Sequence, residues 1–118
     1  MQTVTKVTIA LVVASALLDL ATSEVLLSVG SVNINGKTIV FHELNPLFHV
    51  LGRSGFIAVS LILTALVSYA LILYEGVCLK HGAYRTHMVG CIAVIILFVI
   101  PHLILGFNNL MLIARFVH

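Results

Sequence analysis

Asp19 is the residue of this sequence best placed to do chemistry, because it lies deep inside an apolar run at residues 7–29. A carboxylate within a bilayer costs several kcal/mol unless it faces water or a polar partner. The side chains able to meet it are few: Thr22 one turn on, Asn45 at the start of a second helix, and His102, Asn108 and Asn109 in the last apolar stretch. Together with Asp19 they form the candidate polar cluster. Two chemistries are open to it. Asp19 and His102 could form a proton or cation site. Alternatively, Asp19 could bond across to His102, Asn108 or Asn109, or to the Asn45 helix through Thr22, and lock the helices together. The direct bond to the His102–Asn108 stretch is the expected one, with Asp19 in its protonated form.

The histidines raise a second chemistry. His87 and His102 are fifteen residues apart, roughly 22 Å along one helix, and membrane cytochromes space two haems in this way. Each haem needs a second axial ligand on a facing helix. The apolar cores of the first two helices hold no histidine, and His49 could serve only one haem near a surface. No haem is expected, and bound lipid is the only small-molecule companion anticipated. His42, Glu43 and His49 could meet as a surface metal site, but no Cys/His/Asp set has the spacing of a metal centre. His42, His81 and His118 read as membrane-interface residues. Cys78 and Cys91 lack CxxC spacing and read as core. No nucleophile elbow, phosphate loop or catalytic dyad occurs, so no catalytic residue is assigned and an enzyme is not expected.

Composition sets the solvent in which these residues work. Of 118 residues, 61% are apolar and only 8% charged, and mean hydropathy is +1.21. Soluble domains carry about 25% charged residues. Such a chain cannot cover a water-facing surface, and its net charge of +2 implies no anionic partner. Nucleic-acid binding and disorder are excluded. Lys6 followed by an apolar run mimics a signal peptide, but Asp19 interrupts the run and no A-x-A site follows. The first apolar segment therefore reads as a membrane helix.

The expected fold is all-α and integral to the membrane: three transmembrane helices at residues 7–29, 46–79 and 87–117, in one domain spanning 1–118. A small β-hairpin flap at 31–43 separates the first two. Residues 7–29 are long enough to cross roughly 30 Å of hydrocarbon. The flap rests on Asn35-Gly36 between alternating apolar residues, the strongest short hairpin signal. Asn45 and Pro46 suit an N-cap and a first helical position. Gly52-Arg53-Ser54-Gly55 predicts a bend. The last stretch is longer than a bilayer needs, so it must tilt, project or kink at Pro101.

Each helix carries one polar seam. In the first it is Thr8, Ser15, Asp19 and Thr22; in the second, Ser60, Thr64, Ser68 and Glu75; in the third, His102, Gly106 and Asn109, with Asn108 beside it. Small and hydroxyl residues let helices approach closely and bond. Glu24 and Glu75 lie near helix ends, within reach of headgroups. Three crossings put Lys6, Lys80 and Arg85 on one side and Lys37, Arg53 and Arg115 on the other. The count is even, so the positive-inside rule barely discriminates. The N-terminal amine and the Lys80/Arg85 pair tip the expectation to an inside N-terminus.

Asp19 with Thr22, then Glu43-Leu44-Asn45-Pro46-Leu47, then Asn108-Asn109-Leu110, resemble the pattern of a family of small multi-pass membrane proteins of unknown function in archaea and bacteria. Its members carry an Asp in the first helix, a Glu-x-Asn-Pro-Leu-like start to the second and an Asn near the end of the last. The resemblance spans most of the chain, although the insert at Val32–Phe41 is longer than the family pattern. It implies a shared cluster of Asp19, Asn45 and an Asn of the third helix, and it carries no activity.

The expected function is that of a non-enzymatic accessory subunit of a larger complex in the cell membrane. Its partners would be lipids and other membrane subunits, of the same or another kind. The alternatives are a small proton- or ion-conducting or transporter subunit using Asp19 and His102, and a membrane anchor of a respiratory enzyme near a haem or quinone.

Overall fold

A computed structural model describes residues 1–40 and 46–116. Among them, three helices are long and apolar enough to cross a membrane: Thr3–Val29, Gly52–Lys80 and Tyr84–Phe116. The first, α1 (Thr3–Val29), ends where Gly30 turns the chain and its N–H bonds Leu26 O at 2.9 Å. It starts four residues earlier than the hydropathy suggested, because Thr3, Thr5 and Lys6 extend the helix without being apolar.

Strands β1 (Ser31–Ile34) and β2 (Lys37–Val40) pair antiparallel, with Ile34 opposite Lys37 and Ser31 opposite Val40. Asn35 and Gly36 supply positive φ values of 52° and 79°. That is the left-handed pair a two-residue hairpin turn requires, and Asn and Gly adopt it most readily. The flap is therefore present as the Asn-Gly signal predicted. The segment 41–45, which includes His42, Glu43 and Asn45, lies outside the described residues.

Helix α2 (Pro46–Lys80) is broken at Gly52, whose φ of 74° and ψ of 178° are not helical. The bend falls at the first residue of the Gly-Arg-Ser-Gly sequence that predicted it. A tight turn at His81–Gly82 then leads into the third span. This is one continuous helical rod in three parts: α3 (Tyr84–Val94), a π-helical turn (Ile95–Val99) and α4 (Ile100–Phe116). Pro101 explains the middle part. It offers no N–H, and its ring crowds the carbonyl one turn back, at Leu97. The rod widens into a π-turn just before the proline, which is how the expected irregularity at Pro101 is expressed.

The molecule measures 63 × 25 × 17 Å, a thin layer with α1 in the middle. Helix α1 packs along the third rod in the same direction: Thr5 meets His87 near one end and Ser23 meets Asn109 near the other. Helix α2 runs antiparallel beside them. A third of the α1 span is buried, against 11% for each of the others. The core is small: Val12, Leu71, Cys91 and Val99.

Candidate functional site

The buried face of α1 is its polar face. Thr5, Thr8, Ser15, Asp19, Thr22 and Ser23 are all at most 5% exposed, whereas Leu11, Val13, Leu17 and Val25 of the same helix face outward. In water the distribution would be reversed. In lipid, apolar side chains lose nothing by facing outward, and polar ones gain by facing another helix. The seam of Thr8, Ser15, Asp19 and Thr22 therefore points inward, as the sequence pattern predicted.

Asp19 is 2% exposed. Ser23 Oγ, one turn on, donates to its Oδ1 at 3.4 Å. The Asn109 side-chain amide donates to Ser23 Oγ at 3.0 Å and to Thr22 Oγ1 at 3.2 Å. Thr22 Oγ1 in turn lies 2.7 Å from Leu18 O and 3.1 Å from Asp19 O. The cluster closes because the backbones come together at Gly106. A Cβ there would stand 2.8 Å from Leu18 Cγ and 3.4 Å from the Asp19 nitrogen, so no larger residue fits without a shift.

Of the six candidate residues, the structure brings together Asp19, Thr22 and Asn109, and adds Ser23 and Gly106. A link from Asp19 to the third rod runs through Ser23 to Asn109. His102 points elsewhere. Its Nδ1 lies 2.7 Å from Phe98 O, one turn back, and its ring stacks on Phe98 at 4.3 Å. Asn108 is exposed, because the residue next to an inward Asn109 is rotated about 100° away. Asn45 lies outside the described residues, and with it the proposed contact to the second helix.

The sequence reading did not anticipate a second polar group at the other end of α1. Thr5 Oγ1 lies 2.9 Å from His87 Nε2, and Cys91 Sγ lies 3.7 Å from the same nitrogen. His87 is 1% exposed. Beside it, Glu75 is 4% exposed and accepts a hydrogen bond from the Gln2 backbone N–H. A carboxylate at a helix N-terminus meets the positive end of the dipole, so Glu75 of α2 caps α1 from outside. Glu75 therefore does not reach the headgroups as expected. Extending the inward seam from Thr8 back by three residues to Thr5 would have pointed to this group.

Glu24 also has a protein partner. Arg53 Nη2 donates to its Oε2 at 2.5 Å, Arg53 Nε lies 3.1 Å from both carboxylate oxygens, and Arg53 Nη2 reaches Ser28 Oγ at 3.3 Å. Polar links thus tie α1 to both neighbours at two levels. Between the levels lie the apolar Val12, Leu71 and Val99 together with the buried Thr8 and Ser15 of the seam. Among the described residues no buried side-chain nitrogen or oxygen lacks a hydrogen-bond partner. No group of three or more His, Cys, Asp or Glu among them could hold a metal ion.

The seam of α2 is arranged differently. Ser60, Thr64 and Ser68 line an open groove of about 210 Å³ against Val13, Ala16, Leu17 and Leu20 of α1. Thr64 donates to Ser60 O at 2.7 Å and Ser68 to Thr64 O at 2.9 Å, so these hydroxyls are spent within their own helix. Comparison of the chain with protein-family models, curated proteins and solved structures finds no match.

Proposed function

We propose that the chain is a non-enzymatic, multi-pass accessory subunit of a larger assembly in the cell membrane, and a member of the small-protein family it resembles. The observation that carries this reading is how its polar groups are used. Those buried among the described residues are all bonded, and the bonds run mainly within a helix or between α1 and its neighbours. Bonds of this kind lock helices together, which supports a structural role for the interior. Meanwhile α2 gives up little of its surface to the rest of the chain, and its hydroxyl seam opens on a groove. Small and hydroxyl residues on an open helix face let another helix approach closely.

Asp19 also supports a second reading, a proton- or ion-conducting subunit. Its carboxyl is buried on the same inward face of α1 as Thr5, Thr8 and Ser15. Purification from native membranes in mild detergent tests the proposal. A stoichiometric membrane partner, of the same or another sequence, supports it. A chain that leaves the membrane alone and intact argues against it.

A further inference from the structure

The outward face of α2 has its own order. Ala58, Ile62, Ala65, Tyr69, Ile72 and Gly76 follow one another at intervals of four and three, the spacing of a left-handed helix seam. All six are exposed: Ile62 by 58%, Tyr69 by 59% and Ile72 by 41%, and nothing stands within 4 Å of where a Cβ on Gly76 would be. Large and small residues are mixed along the seam, so it has both knobs and holes. Tyr69 sits about 16 Å from the Lys80 end of the span, well inside the hydrocarbon, and its hydroxyl has no hydrogen-bond partner among the described residues. A hydroxyl facing hydrocarbon without a partner is unfavourable.

We infer that this face packs against a second copy of the chain inserted in the opposite orientation. Two observations select that occupant. The first is charge. The six Lys and Arg divide evenly between the two ends of the helices: Lys6, Lys80 and Arg85 against Lys37, Arg53 and Arg115. Orientation follows the Lys/Arg difference between sides, and with no difference both orientations are inserted. An inside N-terminus then describes only half of the copies.

The second observation is shape. In a two-fold antiparallel pair centred on Val67, Tyr69 meets Ala65, Ile62 meets Ile72 and Ala58 meets Gly76. The large ring enters the space left by a small residue, and the ends close on small residues. A parallel pair would set Tyr69 against Tyr69 and Gly76 against Gly76 at the same depth, a collision at one level and a gap at another. The antiparallel pair also brings each Tyr69 hydroxyl within a turn of the other copy's Thr64 and Ser68. This rests on the accessory-subunit reading and names its partner as the chain itself.

The test uses the full chain in cell membranes. The native cysteines are buried, so Thr38→Cys in the exposed hairpin reports side by reaction with a membrane-impermeant maleimide. About half the copies should label in sealed cells and the rest only after permeabilisation. Two charge-biased chains follow, His81→Lys with Thr86→Lys and Ser31→Lys with Asn33→Lys. Each alone should adopt one orientation and lose the dimer, and co-expression should restore it. Ala65→Cys and Tyr69→Cys chains carrying different tags should form a mixed disulfide. Labelling from one side only would overturn the inference, as would dimers in each charge-biased chain alone, or an Ala65→Cys chain that cross-links to itself instead. A single orientation together with a different co-purified membrane protein would remove this pairing and leave the accessory-subunit reading standing.

Discussion

Asn109 and Ser23 are 3.0 Å apart, and through that bond the third rod is tied to Asp19 on the middle helix. Thr5 and His87 form the equivalent tie at 2.9 Å, eighteen residues earlier on α1 than Ser23. Eighteen residues of helix rise roughly 27 Å, close to the thickness of the hydrocarbon layer. The two ties are thus about one hydrocarbon thickness apart along α1, with Thr8, Val12 and Ser15 buried between them. Asp19 is one turn inside its tie, a position that keeps a carboxyl group close to hydroxyls and away from lipid.

Asp19→Asn should keep this arrangement, since an amide can still pair with Ser23. Asp19→Leu should weaken the fold by roughly 1–3 kcal/mol, because it leaves polar partners orphaned. Reversible unfolding in detergent, followed by helical circular dichroism, measures both. Equal stability of the two variants would remove the locking role.

Gly106 gives a test with a diagnostic sign. Replacing an ordinary helical glycine with alanine stabilises by about 0.5–1 kcal/mol. Here a Cβ would press on Leu18 and on the Asp19 backbone, so Gly106→Ala should destabilise by about 1–3 kcal/mol. A gain in stability would mean that α1 and α4 are further apart than described.

The two ends should respond differently to mutation. Arg53 and Glu24 are 47% and 33% exposed, so Arg53→Gln should change stability little. His87→Leu removes the partner of a fully buried Thr5 hydroxyl and should cost about 1–3 kcal/mol. The same unfolding assay ranks them. A larger loss at Arg53 than at His87 would reverse the assignment of buried and surface ties.

His87 is occupied by Thr5 and Cys91, and His102 by Phe98. The chain alone should therefore show no b-type band in a reduced-minus-oxidised spectrum. A band that vanishes in His102→Ala would contradict the account.

The three spans and the flap were legible in the sequence because their signals are local. Hydrophobic length makes the helices, Asn35-Gly36 makes the turn, and Gly52 and Pro101 mark the irregular points. The inward face of α1 was legible as well, since Thr8, Ser15, Asp19 and Thr22 repeat at helical spacing. What the sequence did not reveal was which residues of different helices stand level. His102 and Asn109 share a seam, yet only Asn109 faces α1, and the choice depends on the close approach at Gly106 and the π-turn before Pro101. Glu75 looked like a headgroup contact because its position near a helix end is visible in the sequence. The start of α1 that it caps is seventy-three residues away.

Molar mass in mild detergent tests most directly whether this chain works as part of an assembly. Size-exclusion chromatography with light scattering should give a protein mass of at least two chains, with material forced to single chains losing helix or aggregating. A monodisperse, folded monomer of 12.8 kDa that is stable on storage would contradict it.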